Sequence, residues 1–408
     1  MASAVYNQAA LLASDVGLPG LARQWCHQHA DTYLRARPLG AQAARQALEP
    51  LVNLARLHTR DGHGDQAHQL LDTLNDAVTS RTDTVIDGLL IPAATLTATD
   101  NDHWQLRKWL WTVLLADGAR ALTSAGRWQD AHIHLKQHKG IGRRMLDGRQ
   151  VAVIALVTAG EADGALALLA ETIPGDPRED AVTSCLVVLC RRRADRLVDR
   201  DIATMLERHQ QLHRLTPLNV SLTVFHTRLG LTVIDAAGVV EHPIGYQVAA
   251  DLIHRTKVSR DGYAAREMLA HDGCAAMLSN DQSSDLAEVL EASALGRKHI
   301  PPELSAELSA ALATSKAVLL RTLTSSELTA DAGTGGPPHS ASTLPGTTGT
   351  WQHDVDGAAR PTSWTSAVGN GQGGVGAVPA SEVAVPPPTV VHQHHPAVHH
   401  PGCVGRPA

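Results

Sequence analysis

The stretch GRWQDAHIHL, Gly126 to Leu135, constrains the fold more than any other part of the chain, because its spacing recurs. Gly126 is followed five residues later by Ala131 and nine residues later by Leu135. The same spacing joins Gly160, Ala165 and Leu169, then Gly62, Ala67 and Leu71, and Gly17, Ala22 and Cys26. Each glycine follows an apolar stretch of helical spacing, and glycine can end a helix at positive φ without a Cβ clash. Each alanine sits early in the next helix, where a small side chain lets two backbones approach. The residue at the ninth position lies one turn further along the same face. The pattern predicts successive helices joined by tight turns.

Helical periodicity extends well beyond these turns. LEPLVNLARLH carries Leu48, Leu51, Val52, Leu54, Ala55 and Leu57 at helical spacing, and GDQAHQLLDTLNDAV carries Ala67, Leu70, Leu71, Leu74 and Val78. WLWTVLLADGARAL and QVAVIALVTAG are apolar nearly all round, as in helices flanked on both sides. One Phe and four Tyr in 408 residues leave Ala, Leu and Val to build the core, which favours an all-α fold. The expected exception is DTVIDGLLIP, residues 83–92, where Asp87-Gly88 between two apolar pairs predicts a β-hairpin. Such a hairpin is marginal alone and must pack on the neighbouring helices.

Gly126 and Gly160 stand 34 residues apart. On these residues the chain resembles the tetratricopeptide-repeat (TPR) family, whose 34-residue helix-turn-helix units stack into a superhelix. The small residue that the family places in the first helix of each unit matches Ala10, Ala55 and Ala119, with Val153 in the fourth. Pro177 stands where a unit-ending proline falls, and Pro38 is one residue late. The family's aromatic positions are instead Ala13, His58, Leu122 and Leu156, and the other two spacings are 45 and 64 residues. The resemblance covers residues 5–178 and implies an all-α, right-handed α-solenoid of antiparallel helix pairs.

Three regions follow from this reading: repeats with the hairpin insert over 1–178, further helices that continue or cap the stack over 179–323, and a tail over 324–408. In the second, SSDLAEVLEASALG reads as a helix capped by Ser284 and stopped by Gly296. PPELSAELSAALATSKAVLLRTL reads as the last helix, ending at Leu323. The tail is Gly-, Pro- and His-rich, a composition that cannot bury enough surface to offset ordering, and is expected to be disordered.

Several chemistries lose support at this level. Net charge is −6, which gives no reason to expect nucleic acid, and the longest apolar run, CLVVLC, is too short for a membrane span. Five scattered cysteines form neither a disulfide framework nor a CxxC site, and the start lacks the pattern of a signal peptide, so a cytoplasmic protein is expected. Twenty-nine Arg against six Lys reads as the mark of a GC-rich genome. His134/His138 and His209/His213 are spaced to share helix faces, but HQQLH is not HExxH, and solvated faces are the expectation. The tail tract VVHQHHPAVHHPGC would bind a divalent metal on a column, which says little about a cell. HKGIGRRMLDGR lacks the GKS/T of a P-loop, although its amides and arginines offer a carboxylate or phosphate some purchase. No catalytic signature, metal site or cofactor motif is expected.

The expected function is therefore non-catalytic binding of a peptide or protein partner, as scaffold or adaptor, with an acidic segment as the favoured ligand. The candidate binding residues are His58, Trp104, Arg107, Trp111, Arg143 and Arg144: large or cationic side chains on first helices and on the turn at 140–144. Two other readings stay open. One is a ligand- or peptide-sensing module acting with a separate DNA-binding protein. The other is a helical enzyme or biosynthetic accessory. The number of subunits is not legible.

Overall fold

A computed structural model describes residues 2–216, 222–237 and 243–331, without the side chains of 243, 244 and 325–331. The chain is mainly α-helical. Its first part comprises α1 (Ala2–Asp15), α2 (Pro19–Leu34), α3 (Ala41–Arg60) and α4 (Gly64–Ser80). Strands β1 (Thr84–Ile86) and β2 (Leu89–Ile91) come next. A long helix then runs through α5 (Asp100–Val113), a π-helical turn (Leu114–Gly118) and α6 (Ala119–Ser124). Shorter helices follow: α7 (Trp128–Gln137), α8 (Asp147–Thr158) and α9 (Ala162–Ala170). The remainder comprises α10 (Pro177–Arg193), α11 (Asp199–Leu215), α12 (Thr223–Ala237), α13 (Pro243–Ser259), α14 (Gly262–Ala270), α15 (Asp272–Ala275), α16 (Asn280–Ala292) and α17 (Pro302–Asp331).

The four expected turns share one geometry. Gly17, Gly62, Gly126 and Gly160 have φ of 82°, 80°, 73° and 83°. The amide after each glycine donates back to the carbonyl five residues earlier: Leu18 to Ala13, His63 to His58, Arg127 to Leu122 and Glu161 to Leu156, at 2.8–2.9 Å. This is the Schellman closure of a helix C-terminus. Ala22, Ala67, Ala131 and Ala165 are all 0% exposed.

A further copy is hidden in RDGYAAREML. Arg260 takes the left-handed conformation itself (φ 50°), Ala265 is again 0% exposed, and Leu269 packs on the core. Gly262 stands two residues on, as Gly64 does after Gly62. A Cβ on Gly64 would lie 2.2 Å from the Ala121 carbonyl oxygen, and one on Gly262 would lie 2.3 Å from Ser293 Oγ. A search anchored on glycine misses this copy because arginine occupies its place.

Packing follows chain order. From α1 to α4 each helix packs on the next, α4 packs on α6, and from α6 to α11 each again packs on the next. Contacts also run between helices further apart in the chain, from α1 to α3, α3 to α6, α6 to α8, α8 to α10 and α10 to α12. Beyond them, α12 meets α13 and α14, and both of these meet α16. One apolar core spans α1–α5 and a second runs from Met145 to Val289, with a small cluster around Ala131 and Leu135 between them.

The chain then returns to its start. Leu312, Leu319 and Leu323 of α17 enter the same core as Tyr6, Trp25 and Leu48. At this junction the Gly296 amide donates to the Asp15 carbonyl at 2.8 Å and the Lys298 amide to that of Val16 at 2.5 Å. Arg60 pairs with Asp15 and reaches the Tyr263 hydroxyl at 3.1 Å.

The hairpin forms where expected. Thr84 pairs with Ile91 and Ile86 with Leu89, while Asp87 and Gly88 both take positive φ. Ile86 and Ile91 are buried, and Arg23 and His27 of α2 clasp the Asp87 carboxylate at 2.7 and 2.8 Å.

Two boundaries differ from the sequence reading. Helix α16 is capped by Ser279, whose hydroxyl accepts from the Gln282 amide while Gln282 closes a capping box; Ser284 lies inside the helix. Helix α17 runs past Leu323 to Asp331, because TSSELTAD contains neither glycine nor proline to stop it. Residues 332–408 lie outside the described ones.

The π-helical turn turns Asp117 inward, where it is 5% exposed and binds Arg56 in bidentate fashion, Nε to Oδ1 at 2.9 Å and Nη2 to Oδ2 at 2.8 Å. This pair ties α3 to the long helix. Removing one partner leaves a buried charge uncompensated, so Asp117→Ala should lose about 3–5 kcal/mol in denaturant unfolding. Leucine at Ala131 or Ala265 should overpack the helix contact and cost about 1–3 kcal/mol by the same assay. If both leucine variants unfold like the parent, the alanines are not contact points.

Candidate functional site

The long helix is 25 residues from Asp100 to Ser124, and its predecessors α3 and α4 have 20 and 17. The helices after it are shorter: α7 has 10 residues, α8 has 12 and α9 has nine. Helices α7 and α8 therefore reach α6 and the π-helical turn. Contact with α5 narrows at the Trp111 indole, which donates to the His138 carbonyl at 3.2 Å just past the end of α7. The N-terminal three turns of α5 extend beyond that point as a ledge.

The start of the ledge is fixed by polar contacts. Thr99 caps α5 by accepting from the Asp102 amide at 3.1 Å, and Asp102 accepts from the Ala41 amide at 2.8 Å. Arg81 binds Asp100 at 2.5 Å. Inward, His103, Leu106 and Leu110 are buried, and the Arg45 guanidinium lies 5.5 Å from the ring centroid of Trp109.

Outward, the ledge presents Trp104 at 60% exposure and Trp111 at 42%, with Arg107 and Lys108 exposed between them. The Lys108 ammonium stands 5.6 Å from the Trp104 ring centroid, in range for a cation–π contact. Core packing is the commoner use of helical tryptophans, and here Trp109 takes it while Trp104 and Trp111 do not.

The electrostatics of this face depart from the rest of the chain. Residues 103–116 and 131–146 contain Arg107, Lys108, Lys136, Lys139, Arg143 and Arg144 and no carboxylate, in a chain of net charge −6. Arg144 is engaged by the buried Glu179 carboxylate. The Arg143 side chain is exposed, while its carbonyl receives the Ile173 amide at 3.1 Å.

The turn at 140–144 is held from within. The Gly140 amide donates to Leu135, and Arg149, 4% exposed, donates to the carbonyls of Gly142 and Leu168 and to the Thr172 hydroxyl. The structure thus brings Trp104, Arg107 and Trp111 onto one face, with the start of the 138–144 turn beside Trp111. Arg144 is tied to α10. His58 sits at the end of α3 beside His63, ring centroids 6.4 Å apart.

Of the two histidine pairs, His134, His209 and His213 are buried and His138 is half-buried. His134 is 6% exposed and its Nε2 lies 2.9 Å from the Leu114 carbonyl oxygen in the π-helical turn. His209 and His213 are buried where α11 meets α12, with ring centroids 4.2 Å apart, and His226 lies 4.7 Å beyond His213. The polar composition of HQQLH gives no sign of this crossing. Asp251 accepts from His213 Nδ1 at 2.6 Å and from Arg255 Nε at 2.9 Å, and Thr216 Oγ1 is 3.0 Å from His226 Nε2. Burial would raise Asp251, but the His213 and Arg255 contacts hold it far below the usual carboxylate range.

His209 Nε2, His213 Nε2 and His226 Nδ1 have no hydrogen-bond partner among the described residues. No group of three or more His, Cys, Asp or Glu among the described residues is placed to hold a metal ion. Cys26, Cys185 and Cys190 are buried, and burial pushes their thiols up to about 12, away from reactivity. No described helix is long and apolar enough to cross a membrane. No protein-family model matches the chain, and no curated protein matches its sequence.

Burial also pushes His209 and His226 down to about 3 and His29, stacked on Tyr6, down to about 4, from an ordinary 6.5. Above pH 6.5 these rings are neutral in both states and the folded state keeps its full stability. As pH falls below 6.5, the unfolded rings take up protons that the folded ones refuse. Stability then drops on the order of 1.4 kcal/mol per pH unit for each ring, until the folded values are reached. Thermal unfolding between pH 7 and 4.5 should show this loss before carboxylates titrate, and His209→Gln should flatten it. An unchanged slope in that variant would place the acid sensitivity elsewhere.

Proposed function

We propose that the chain is a non-catalytic helical-repeat protein of TPR-like build that binds a peptide or protein partner. The observation that carries this reading is the recurrence of one glycine-ended turn with a fully buried alanine at the same offset, four times from Gly17 to Ala165, joined by the left-handed Arg260 with a fully buried Ala265. Units of that kind stack on their neighbours, and stacked pairs yield long surfaces suited to binding rather than a single enclosed pocket. In this reading the pairs wind as a right-handed solenoid of antiparallel helices, and α17 covers its first pair. A fold hosts many functions, so the exposed tryptophans add a separate support: large aromatics left bare on a surface are the residue type that anchors interfaces.

Affinity capture with the full chain as bait, followed by native mass spectrometry, should yield one protein at fixed stoichiometry. A thermal-shift panel of metabolites should leave its melting temperature unchanged. A metabolite that raises the melting temperature by several degrees, with no protein retained at stoichiometry, would replace this reading with a sensor or an enzyme.

A further inference from the structure

We infer that the ledge formed by the N-terminal half of α5 is the docking place of an acidic amphipathic helix from a partner protein. The inference rests on the binding function proposed above and names the site and the chemistry of its ligand.

Three independent features define the occupant. The first is length. Helices α7 and α8 stop near Trp111, so the span from Asp100 to Trp111 lacks the neighbour that the rest of the long helix has. Twelve residues at 1.5 Å per residue make that span about 18 Å, the length of a helix of three to four turns. A helix lying there continues the layer that α7 and α8 leave unfinished.

The second is apolar spacing. Trp104 and Trp111 are seven residues apart on one face, about 10.5 Å along the axis. A helix running alongside meets both with apolar residues seven apart, and fills the space between them with another at the third or fourth position. An extended segment alternates its side chains across two faces and offers no continuous stripe.

The third is charge. Arg107 and Lys108 stand between the tryptophans and Lys139 follows the His138 turn, with no carboxylate in residues 103–116 or 131–146. The two carboxylates at the start of the span are engaged, Asp100 by Arg81 and Asp102 by the Thr99 hydroxyl and the Ala41 amide. A partner with Asp or Glu flanking its apolar stripe neutralises these cations, whereas a basic one is repelled. The chain's own tail is a poor candidate, since residues 332–408 carry Asp354, Asp356 and Glu382 against Arg360 and Arg406.

The test uses the full chain and four fluorescein-labelled probes read by anisotropy at low salt. One is a 14-residue stapled helix with Leu at the first, fourth and eighth positions and Glu between them. The others are the same helix with Lys for Glu, an unstapled version broken by two prolines, and a 14-nucleotide single-stranded DNA. The acidic helix should bind at least tenfold tighter than each of the other three, and added salt should weaken it. Trp104→Ala/Trp111→Ala should lose at least tenfold of that affinity with an unchanged circular dichroism spectrum.

The exposed charge reversal Arg107→Glu/Lys108→Glu should lose the acidic helix and gain the lysine one. Equal binding of the broken peptide, tighter binding of the DNA, no binding of the acidic helix, or indifference to both double variants would each overturn the proposal. A captured partner that still binds the tryptophan double variant would remove this ledge and leave the general binding function standing. Absence of any stoichiometric partner would instead remove the general reading.

Discussion

The close approach of helices at the buried alanines is the contact on which the rest of the architecture depends. A left-handed residue ends one helix, its successor's amide closes the last turn, and an alanine five residues on is pressed between helices at 0% exposure. A fully buried alanine leaves little room for a larger side chain, so the helices at each turn can approach closely. The order of packing along the chain follows from repeating that step.

Regular spacing makes irregular lengths consequential. Helices of 20 and 17 residues precede the long helix and helices of 10, 12 and nine follow it, so one side of α5 is covered and the other is not. The exposed tryptophans therefore need no distortion of the fold to explain them. They stand where the supply of neighbouring helix ends, and the cations between them set the sign of what fits. The π-helical turn lies at the same step: one added residue in the helical turn points Asp117 toward Arg56 and leaves the Leu114 carbonyl oxygen in reach of His134.

Polar groups are buried elsewhere without full satisfaction. His209, His213 and His226 crowd together between α11, α12 and α13, with Asp251, Arg255 and Arg178 as the charged groups that act on them. Neutral rings at His209 and His226 are tolerated in such a place and charged ones are not, so this crossing carries an acid sensitivity, as His29 does in the first core.

The sequence by itself determined the local rules: helices, their glycine-ended turns, the alanine contacts, and the Asp87-Gly88 hairpin. Each of these is written in residues adjacent in the chain, where propensity and φ preference act directly. It misjudged what depends on neighbours distant in sequence. The fifth copy of the turn was hidden because Arg260 supplies a conformation usually left to glycine. His209 and His213 read as a solvated face because HQQLH looks polar, and only the crossing of α12 and α13 over it decides that the rings are buried. Trp104 and Trp111 stand as binding candidates by residue type alone, since nothing in α5 itself records how short α7 and α8 are. Arg144 read as available, yet Glu179, 35 residues away, engages it. Burial is the property of a surface relative to what lies over it. That covering is set by helix length and crossing, so only the tertiary structure could decide it.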